Sequence, residues 1–174
     1  MKKTLYFVLL LALGWVLLSA CGEASKASEP LTKSSDSLSS LITSIDSDAE
    51  DVGIELVDNK VNVYYTDGGQ SWDESSFVRK HLSNYINYCL QAYGLEGVDN
   101  VVFYVKTKMT DEKGNESTPI VIGVGMNKTA FSSYNWENMK YKSGLIETIK
   151  PDCDILQIHQ GILKACKSED IFYS

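Results

Sequence analysis

The fold of this chain is decided by the stretch SWDESSFVRKHLSNYINYCLQAYGL, residues 71–95. Mostly apolar residues recur along it with the spacing of one helix face: Phe77, His81, Leu82, Tyr85, Ile86, Cys89, Leu90 and Tyr93. Ser71 is placed to cap this helix, with Glu74 completing a capping box, and Gly94 is placed to end it in a left-handed conformation. The stretch therefore predicts one long amphipathic helix from about Ser71 to Tyr93.

The residues before this helix predict a β-hairpin. Ile54 to Val57 and Val61 to Thr66 are rich in residues that favour strands. Asp58-Asn59-Lys60 lies between them and suits a tight turn. The folded domain is therefore expected to begin with this hairpin, near Val52.

Two more strands are predicted after the long helix. They cover Asp99 to Met109 and Ile120 to Met126, and the polar, glycine-containing segment Asp111–Asn115 predicts the turn between them. Gly123 and Gly125 share one face of the second strand. Glycines in a strand mark close approach by another part of the chain, and we expect a helix to pack over this face.

The C-terminal third completes the predicted fold class. Thr129 to Lys140 is typical of a second, shorter helix, with Asn127 or Thr129 as its cap. After Pro151 the pattern fits either a short helix or a strand followed by a turn at Gly161. This order of elements predicts an α+β domain, in which one long amphipathic helix and a shorter one pack on a small, mostly antiparallel sheet.

The first 21 residues have a different character. Lys2 and Lys3 precede an uncharged apolar run, Leu5 to Leu18, that is too short to span a bilayer. The run closes with Leu18-Ser19-Ala20-Cys21, and this order resembles the signal peptide and lipobox of bacterial lipoproteins. The resemblance implies cleavage before Cys21 and a thioether-linked diacylglycerol on Cys21. It also implies a protein anchored by lipid to the extracytoplasmic face of the cell membrane.

The resemblance divides the chain into three parts. Residues 1–20 are the signal peptide, residues 21–51 a lipidated, flexible tether, and residues 52–174 a single globular domain. The predicted tether is rich in serine and lacks aromatic residues, so it buries too little surface to order itself. One stripe within it has helical spacing and indicates a short helix that leans on the domain: Leu38, Leu41, Ile42 and Ile45.

Charge and motif content exclude several kinds of function. The net charge is −7, and it becomes −9 once residues 1–20, which hold two lysines and no acid, are removed. An acidic surface disfavours binding to nucleic acid and to anionic lipid headgroups. The two histidines are His81 and His159, and neither they nor the cysteines have zinc-ligand spacing, so no metal site and no cofactor is predicted.

The mature chain carries no recognisable catalytic motif, which favours a non-enzymatic module that binds a protein or peptide at the envelope. Tyrosine and tryptophan are enriched at binding interfaces because they combine an apolar body with a polar tip. The densest aromatic and amide segment therefore gives the predicted contact patch: Tyr134, Asn135, Trp136 and Asn138.

An enzymatic alternative rests on the late cysteines. His159 lies between Cys153 and Cys166 in the sequence. A Cys–His pair can supply a nucleophile, so the alternative is an envelope hydrolase or a thiol-redox enzyme. The same two cysteines could instead form a disulfide, because export places the domain where disulfides persist. That pairing leaves Cys89 as a free thiol buried on the long helix.

Overall fold

A computed structural model describes residues 30–69, 73–139 and 144–165 of the chain. In these residues the chain forms an α+β domain with six helices, a five-stranded main sheet and a small two-stranded sheet. The helices are α1 (Ser35–Ile45), α2 (Glu74–Ala92), α3 (Lys128–Ser132), α4 (Trp136–Met139), α5 (Leu145–Ile149) and α6 (Gln160–Ala165), with a 3-10 turn at Lys150–Asp152. The strands are β1 (Ala49–Val57), β2 (Lys60–Asp67), β3 (Asn100–Lys106), β4 (Met109–Thr110), β5 (Glu116–Ser117), β6 (Ile120–Asn127) and β7 (Ile155–Ile158). The predicted fold class is confirmed, with α2 as the long helix.

Some predicted features fall outside the described residues. They are the lipobox Leu18–Cys21, the helix cap Ser71 and the thiol of Cys166. Within the described ranges, no helix combines the length and the apolar character needed to cross a bilayer.

The five strands of the main sheet lie in the order β1-β2-β3-β6-β7. β2 and β3 are parallel, with α2 as the crossover between them, and the other pairs are antiparallel. The β1–β2 turn falls at Asp58-Asn59 as predicted, with Asp58 in the left-handed region at φ 53°. β3 and β6 form the predicted antiparallel pair, but the first of these strands ends at Lys106 and not at Met109. Asp111–Asn115 forms the turn of a separate small hairpin of β4 and β5, which was not predicted.

Strand alternation gives the main sheet two faces, and we call the one that packs under α2 the helix face. Its central side chains are all buried: Val61, Val63, Tyr65, Val101, Phe103, Val105, Ile122, Val124 and Met126. The Phe103 ring lies at the centre, with its centroid within 5.8 Å of three tyrosine rings: Tyr65, Tyr85 and Tyr88. Buried residues of the described helices join these side chains in one apolar core.

Helix α2 begins at Glu74, later than predicted. Its N-cap is Asp73, whose carboxylate accepts a 2.7 Å hydrogen bond from the backbone N–H of Ser76. The predicted capping box of Ser71 and Glu74 is therefore wrong, since Glu74 is the first helical residue and not the third. Aspartate caps a helix as well as serine does, so two residues of the sequence competed for this role.

The C-terminal end of α2 also differs from the prediction. The helix ends at Ala92 and tightens into a turn in which the N–H of Gly94 donates to the carbonyl of Gln91 at 3.1 Å. Gly94 is not left-handed; the positive φ in this connection belongs to Gly97, at 72°. Leu90, predicted on the buried stripe, is 51% exposed, so the buried face of α2 is narrower than expected.

Helix α1 belongs to the folded domain, which corrects the predicted boundary. Its helical stripe packs into the core, and the carbonyl of Leu38 accepts a hydrogen bond from the Tyr88 hydroxyl at 3.3 Å. The compact unit begins at Leu31. The boundary at Val52 is therefore wrong, and any tether within residues 21–51 ends before α1.

The region after β6 contains more elements than predicted. One helix is predicted over Thr129–Lys140, but the two short helices α3 and α4 lie there. Asn127, one of the two predicted caps, caps α3. After Pro151 the strand alternative is confirmed by β7, whereas Gly161 lies inside α6 and does not interrupt it.

The glycine face of β6 is not covered by a helix in the described part of the chain. A Cβ added at Gly125 would lie 2.6 Å from Cγ2 of Val102, and one at Gly123 would lie 3.5 Å from Cγ2 of Ile155. Val102 and Ile155 belong to the neighbouring strands β3 and β7. The predicted helix over this face is therefore wrong, since side chains of adjacent strands make the close approach.

Candidate functional site

Charged residues converge where α1, β2 and α2 meet, and we call this group the charged cluster: Asp46, Asp48, Asp67, Lys80 and His81. Asp46 is the C-cap of α1, Asp67 ends β2, and Lys80 and His81 lie on α2. The Lys80 ammonium contacts one carboxylate oxygen of each aspartate, at 2.8 to 3.2 Å. One cation thus holds three carboxylates together.

His81 is the innermost member of the charged cluster, with no exposed surface. Its Nδ1 lies 2.7 Å from the hydroxyl oxygen of Tyr65, within hydrogen-bond distance. Its Nε2 faces Asp67 Oδ1 at 3.7 Å and has no hydrogen-bond partner. The ring of Phe77 packs edge-on against the imidazole at 4.4 Å between centroids. His81 is thus a buried, hydrogen-bonded histidine in which one ring nitrogen, Nε2, has no partner.

The electrostatics of the charged cluster favour ionised side chains. Burial raises the pKa of Asp67, but the attraction of the nearby His81 and the bonded Lys80 outweighs burial, so this pKa lies below its usual value. Burial lowers the pKa of Lys80, but bonds to the three aspartates outweigh burial, so this pKa lies above its usual value. Asp67 and Lys80 are therefore both charged at neutral pH.

Sequence reasoning missed the charged cluster because its members come from separate segments. Asp46 and Asp48 lie in the segment taken for a tether, and Asp67 lies beyond the predicted end of its strand. The one local signal is the pair Lys80-His81 on an otherwise apolar helix stripe, because a buried histidine needs a polar partner. That signal does not say which residues the partners are.

The face of the main sheet opposite α2, which we call the outer face, carries a second group of residues. Five of them, one on each strand, form a row of cross-strand partners: Gly53, Tyr64, Tyr104, Gly123 and Gln157. The rings of Tyr64 and Tyr104 stack with centroids 4.8 Å apart and planes 13° apart. Both tyrosines are half-buried. A paired aromatic surface thus crosses the middle of the outer face, with a glycine on each side.

The next row of the outer face supplies polar groups: Glu55, Asn62, Val102, Gly125 and Ile155. Glu55 accepts hydrogen bonds from the Tyr64 hydroxyl and from Nδ2 of Asn62, each at 3.2 Å. Asn62 is 8% exposed, and its Oδ1 has no hydrogen-bond partner. Burial, followed by the contact with Glu55, raises the pKa of Tyr64. The middle of the outer face is therefore rich in hydrogen-bond acceptors.

The outer face is separate from the core. Val102 is fully buried there but does not belong to the apolar core, and neither tyrosine of the stacked pair does. In the described residues, the buried apolar side chains of the helices all belong to the core under the helix face. The described helices therefore lie on one side of the main sheet.

The predicted contact patch does not form an exposed aromatic surface. Trp136 is 5% exposed, stacks on Phe131 and donates its indole N–H to the Phe131 carbonyl at 2.8 Å. Tyr134 is half-buried, and its hydroxyl is hydrogen-bonded within the domain. Of the four predicted residues, Asn135 and Asn138 are exposed. The aromatic residues of this segment stabilise the fold.

Cys153 does not have the surroundings of an activated nucleophile. Burial, followed by the carboxylates of Asp154 and Asp152, raises the pKa of the Cys153 thiol to about 11. Thiolates do the chemistry of cysteine enzymes, so these surroundings oppose catalysis at neutral pH. His159 is exposed, and its Nδ1 accepts from the N–H of Gly161 at 3.1 Å. No hydrogen bond in the described residues joins His159 to Cys153.

No disulfide joins the two described cysteines, Cys89 and Cys153. Cys89 is completely buried on α2, as expected, and burial raises its pKa. Cys153 is half-buried against the core. Its predicted disulfide partner, Cys166, lies outside the described residues, so the pairing stays a prediction.

Comparison of the chain with protein-family models, with curated proteins and with solved structures finds no match. A functional assignment therefore rests on the charged cluster, the outer face and the residues around them.

Proposed function

We propose that this protein is anchored by lipid to the extracytoplasmic face of the cell membrane, and that its domain is a non-enzymatic binding module. The binding surface is the middle of the outer face, around Tyr64, Tyr104 and Glu55. The partner is an arginine-bearing segment of another envelope protein. The observation that carries the proposal is the stacked, half-buried Tyr64–Tyr104 pair beside the Glu55 carboxylate.

The tyrosine pair offers an aromatic contact that is already ordered. Each ring supports the other, so little side-chain freedom is lost when a ligand binds. Gly53 and Gly123 flank the pair in the same row. Gly53 has open space beside it and no side chain to cover the outer side of the Tyr64 ring, whereas Gly123 is buried and bordered by Ile155 and Gln157. Guanidinium groups stack on such ring faces through cation–π contacts.

The polar groups beside the pair match the same ligand. Glu55 is the one charged side chain in the two middle rows of the outer face. Lys60 and Lys106 lie in other rows, at the two ends of the paired strands. Glu55 and the unpaired Oδ1 of Asn62 both accept hydrogen bonds. A guanidinium group supplies five N–H donors in a planar fork, and it stacks on aromatic rings as well. The net charge of −7 also favours a basic partner.

Binding of a short probe peptide tests the proposed surface. The full chain, purified in mild detergent, is titrated against fluorescein-labelled Arg-Gly-Arg-Gly-Arg, with Lys-Gly-Lys-Gly-Lys as the comparison peptide. We expect the arginine peptide to bind more tightly, because lysine supplies no planar fork. Glu55→Gln should weaken binding about tenfold and Tyr104→Ala about three- to tenfold, through loss of a charge-assisted hydrogen bond and of a cation–π contact.

The matched control for Glu55→Gln is Glu137→Gln, an exposed acid on α4 away from the outer face. It should bind the peptide like the parent. Equal weakening by both acid variants would mean that only net charge matters, and that would reject the outer face as the site. Equal affinity for the lysine and arginine peptides would reject the guanidinium.

The lipid anchor is tested separately. Cys21→Ala removes the sulfur that the thioether requires, so the protein should move from the membrane fraction to the medium or remain as unprocessed precursor. Cell fractionation and immunoblotting measure both outcomes. Cys153→Ser, which leaves the lipobox intact, should stay in the membrane fraction at mature size. Unchanged membrane retention and unchanged size of the Cys21→Ala protein would disprove the anchor.

A further inference from the structure

Three side chains of the charged cluster converge on one point inside the domain. Donor atoms of Asp46, Asp67 and His81 all lie within 4.8 Å of one another. The two aspartate side chains are 2% exposed, and the His81 side chain is 0% exposed. Carboxylates buried so deeply require a cation, and Lys80 supplies one here.

The unpaired nitrogen of His81 faces one of the two buried carboxylates, that of Asp67. This nitrogen, Nε2, lies 3.7 Å from Asp67 Oδ1, which is too long for a hydrogen bond. Two coordination bonds of ~2.1 Å to one ion span such a separation without moving either side chain far. A buried nitrogen without a partner is unfavourable, and a bound ion would satisfy it.

The hydrogen-bond partners of His81 and Asp46 resemble those that usually orient metal ligands. A metal-binding histidine usually donates its other ring N–H to an oxygen, and the Tyr65 hydroxyl lies 2.7 Å from Nδ1 of His81. Ligating carboxylates are also held by hydrogen bonds, and Nδ2 of Asn84 donates to Asp46 Oδ2 at 2.8 Å. Asp46 Oδ1 accepts from the backbone N–H of Asp48 at 3.1 Å and also faces Lys80, so its second lone pair would turn to the ion.

We propose that Asp46, Asp67 and His81 bind a divalent transition-metal ion of the zinc class, which takes the place of the Lys80 ammonium. One imidazole nitrogen with carboxylate oxygens suits Zn²⁺, whereas Ca²⁺ and Mg²⁺ are bound by oxygen ligands. The ion enters past Lys80 and Asp48, whose side chains are 29% and 49% exposed. Asp48 also contacts Lys80, at 3.0 Å, but it is not among the three converging donors.

The exchange raises the net charge of the charged cluster by one unit, which offsets the three carboxylates more fully. One positive charge leaves with the ammonium, and a divalent ion brings two toward the three aspartates. Lys80 keeps its proton and turns into solvent on its flexible stem. His81 binds in its neutral form, with the proton on Nδ1 donated to the Tyr65 oxygen and the Nε2 lone pair on the metal.

This arrangement makes Lys80 a competitor of the ion. Replacing it by glutamine removes the competing charge, so Lys80→Gln should bind zinc at least tenfold more tightly than the parent. The same variant leaves the three carboxylates without a cation, so its melting temperature should fall in chelator and recover when zinc is added. If Lys80 only stabilised the fold, the melting temperature of Lys80→Gln would fall in chelator but would not recover when zinc is added.

The experiment uses the full chain in mild detergent, stripped with a chelator and titrated with ZnCl₂ by isothermal calorimetry at pH 7. We expect one ion per chain. Lys60→Gln is the matched lysine control and should bind like the parent. His159→Gln is the matched histidine control and should retain binding, whereas His81→Gln should lose it by a factor of about 100.

A second measurement covers the case in which His81→Gln fails to fold. The chain has two histidines, so ¹⁵N-histidine NMR of the His159→Gln protein reports on His81 alone. Zinc should shift its Nε2 resonance, and the shift should saturate at one equivalent. Binding that disappears in His159→Gln, displacement of zinc by equimolar Mg²⁺, or no gain in affinity in Lys80→Gln would each overturn the proposal.

Discussion

The two faces of the main sheet share every strand but are used differently, and adjacent tyrosines of β2 show the difference. Tyr65, on the helix face, is 1% exposed and bonds to the imidazole of His81. Tyr64, on the outer face, is half-buried and bonds to the carboxylate of Glu55. Burial raises the pKa of both phenols, and for Tyr64 the Glu55 contact adds to it. The pleat of the strand, and not the type of residue, assigns one ring to the core and the other to a surface.

The strongest test of this comparison exchanges adjacent aromatic residues of β3 for alanine. Phe103→Ala leaves a cavity among three tyrosine rings, so it should lower the free energy of unfolding by about 3 to 5 kcal/mol. Tyr104→Ala removes one cross-strand ring contact on the outer face and should cost about 1 kcal/mol or less. Chemical denaturation of both variants measures the contrast.

The opposite order of these two losses in free energy of unfolding would contradict the comparison of the two faces. A larger loss for Tyr104→Ala than for Phe103→Ala would mean that the outer face carries as much packing energy as the core. The outer face would then be a poor place for a ligand, because its rings would be needed for folding.

The two glycines of β6 provide a test of intermediate size within the outer face. Gly125→Ala places a methyl group 2.6 Å from Cγ2 of Val102, so it should destabilise the domain by ~1 to 3 kcal/mol. Gly123→Ala meets its nearest atom at an ordinary 3.5 Å and should stay within about 0.5 kcal/mol of the parent. Equal midpoints of denaturation would show that Val102 can move aside.

Gly123→Ala also sharpens the functional comparison. Its methyl group would lie against Ile155 and Gln157, in the row that contains Tyr104, without unfolding the domain. It should therefore weaken binding of the arginine peptide while leaving zinc binding unchanged. A loss of both activities would mean that the two faces are coupled.

The third and smallest contrast concerns Asp73, the N-cap of α2, a helix that packs on the helix face only. Hydrogen bonds from Ser76 hold the pKa of Asp73 below its usual 3.8. Because the ionised form is favoured in the folded state, its stabilising effect is present above pH 3.8 and is lost as the pH falls through the lower folded value. Asp73→Ala should lower Tm by about 3 °C at pH 7, and by less at pH 2.5.

Asp73→Asn is the control for this pH dependence. Asparagine keeps an acceptor for the Ser76 N–H but carries no charge. The difference in Tm between the asparagine and alanine variants should therefore be the same at both pH values. If this difference in Tm changes with pH, a carboxylate other than Asp73 is responsible for the pH dependence.

The fold was largely readable from the sequence because local periodicity reports which side of an element is buried. The stripe of α2 and the turn at Asp58 were found in this way. The cap was not, since Ser71 and Asp73 are equally good candidates and local chemistry does not choose between them. Helix α1 was predicted as a short helix on the domain but was counted with the tether, because an isolated helix of its length is marginal and its packing against α2 is a tertiary effect.

The candidate sites were less accessible to sequence reasoning. Tyr64 and Tyr104 meet only because β2 and β3 pair in parallel register, which no local pattern states. Asp46 and His81 meet through packing of two helices. The segment around Trp136 attracted attention by its density of aromatic residues, but that ring was needed to stack on Phe131. Composition shows where aromatic residues are, and pairing decides whether they face solvent.

The edges of the main sheet have a consequence for crowding. β1 is interrupted by a bulge between Glu50 and Gly53, with Asp51 at φ 50°, and β7 is only four residues long. An irregular, acidic edge and a short edge both discourage a strand of another copy from adding to the sheet. Proteins anchored in one leaflet collide in two dimensions, at a far higher local concentration than in solution. If the anchor is as proposed, these edges would let many copies share a membrane without polymerising.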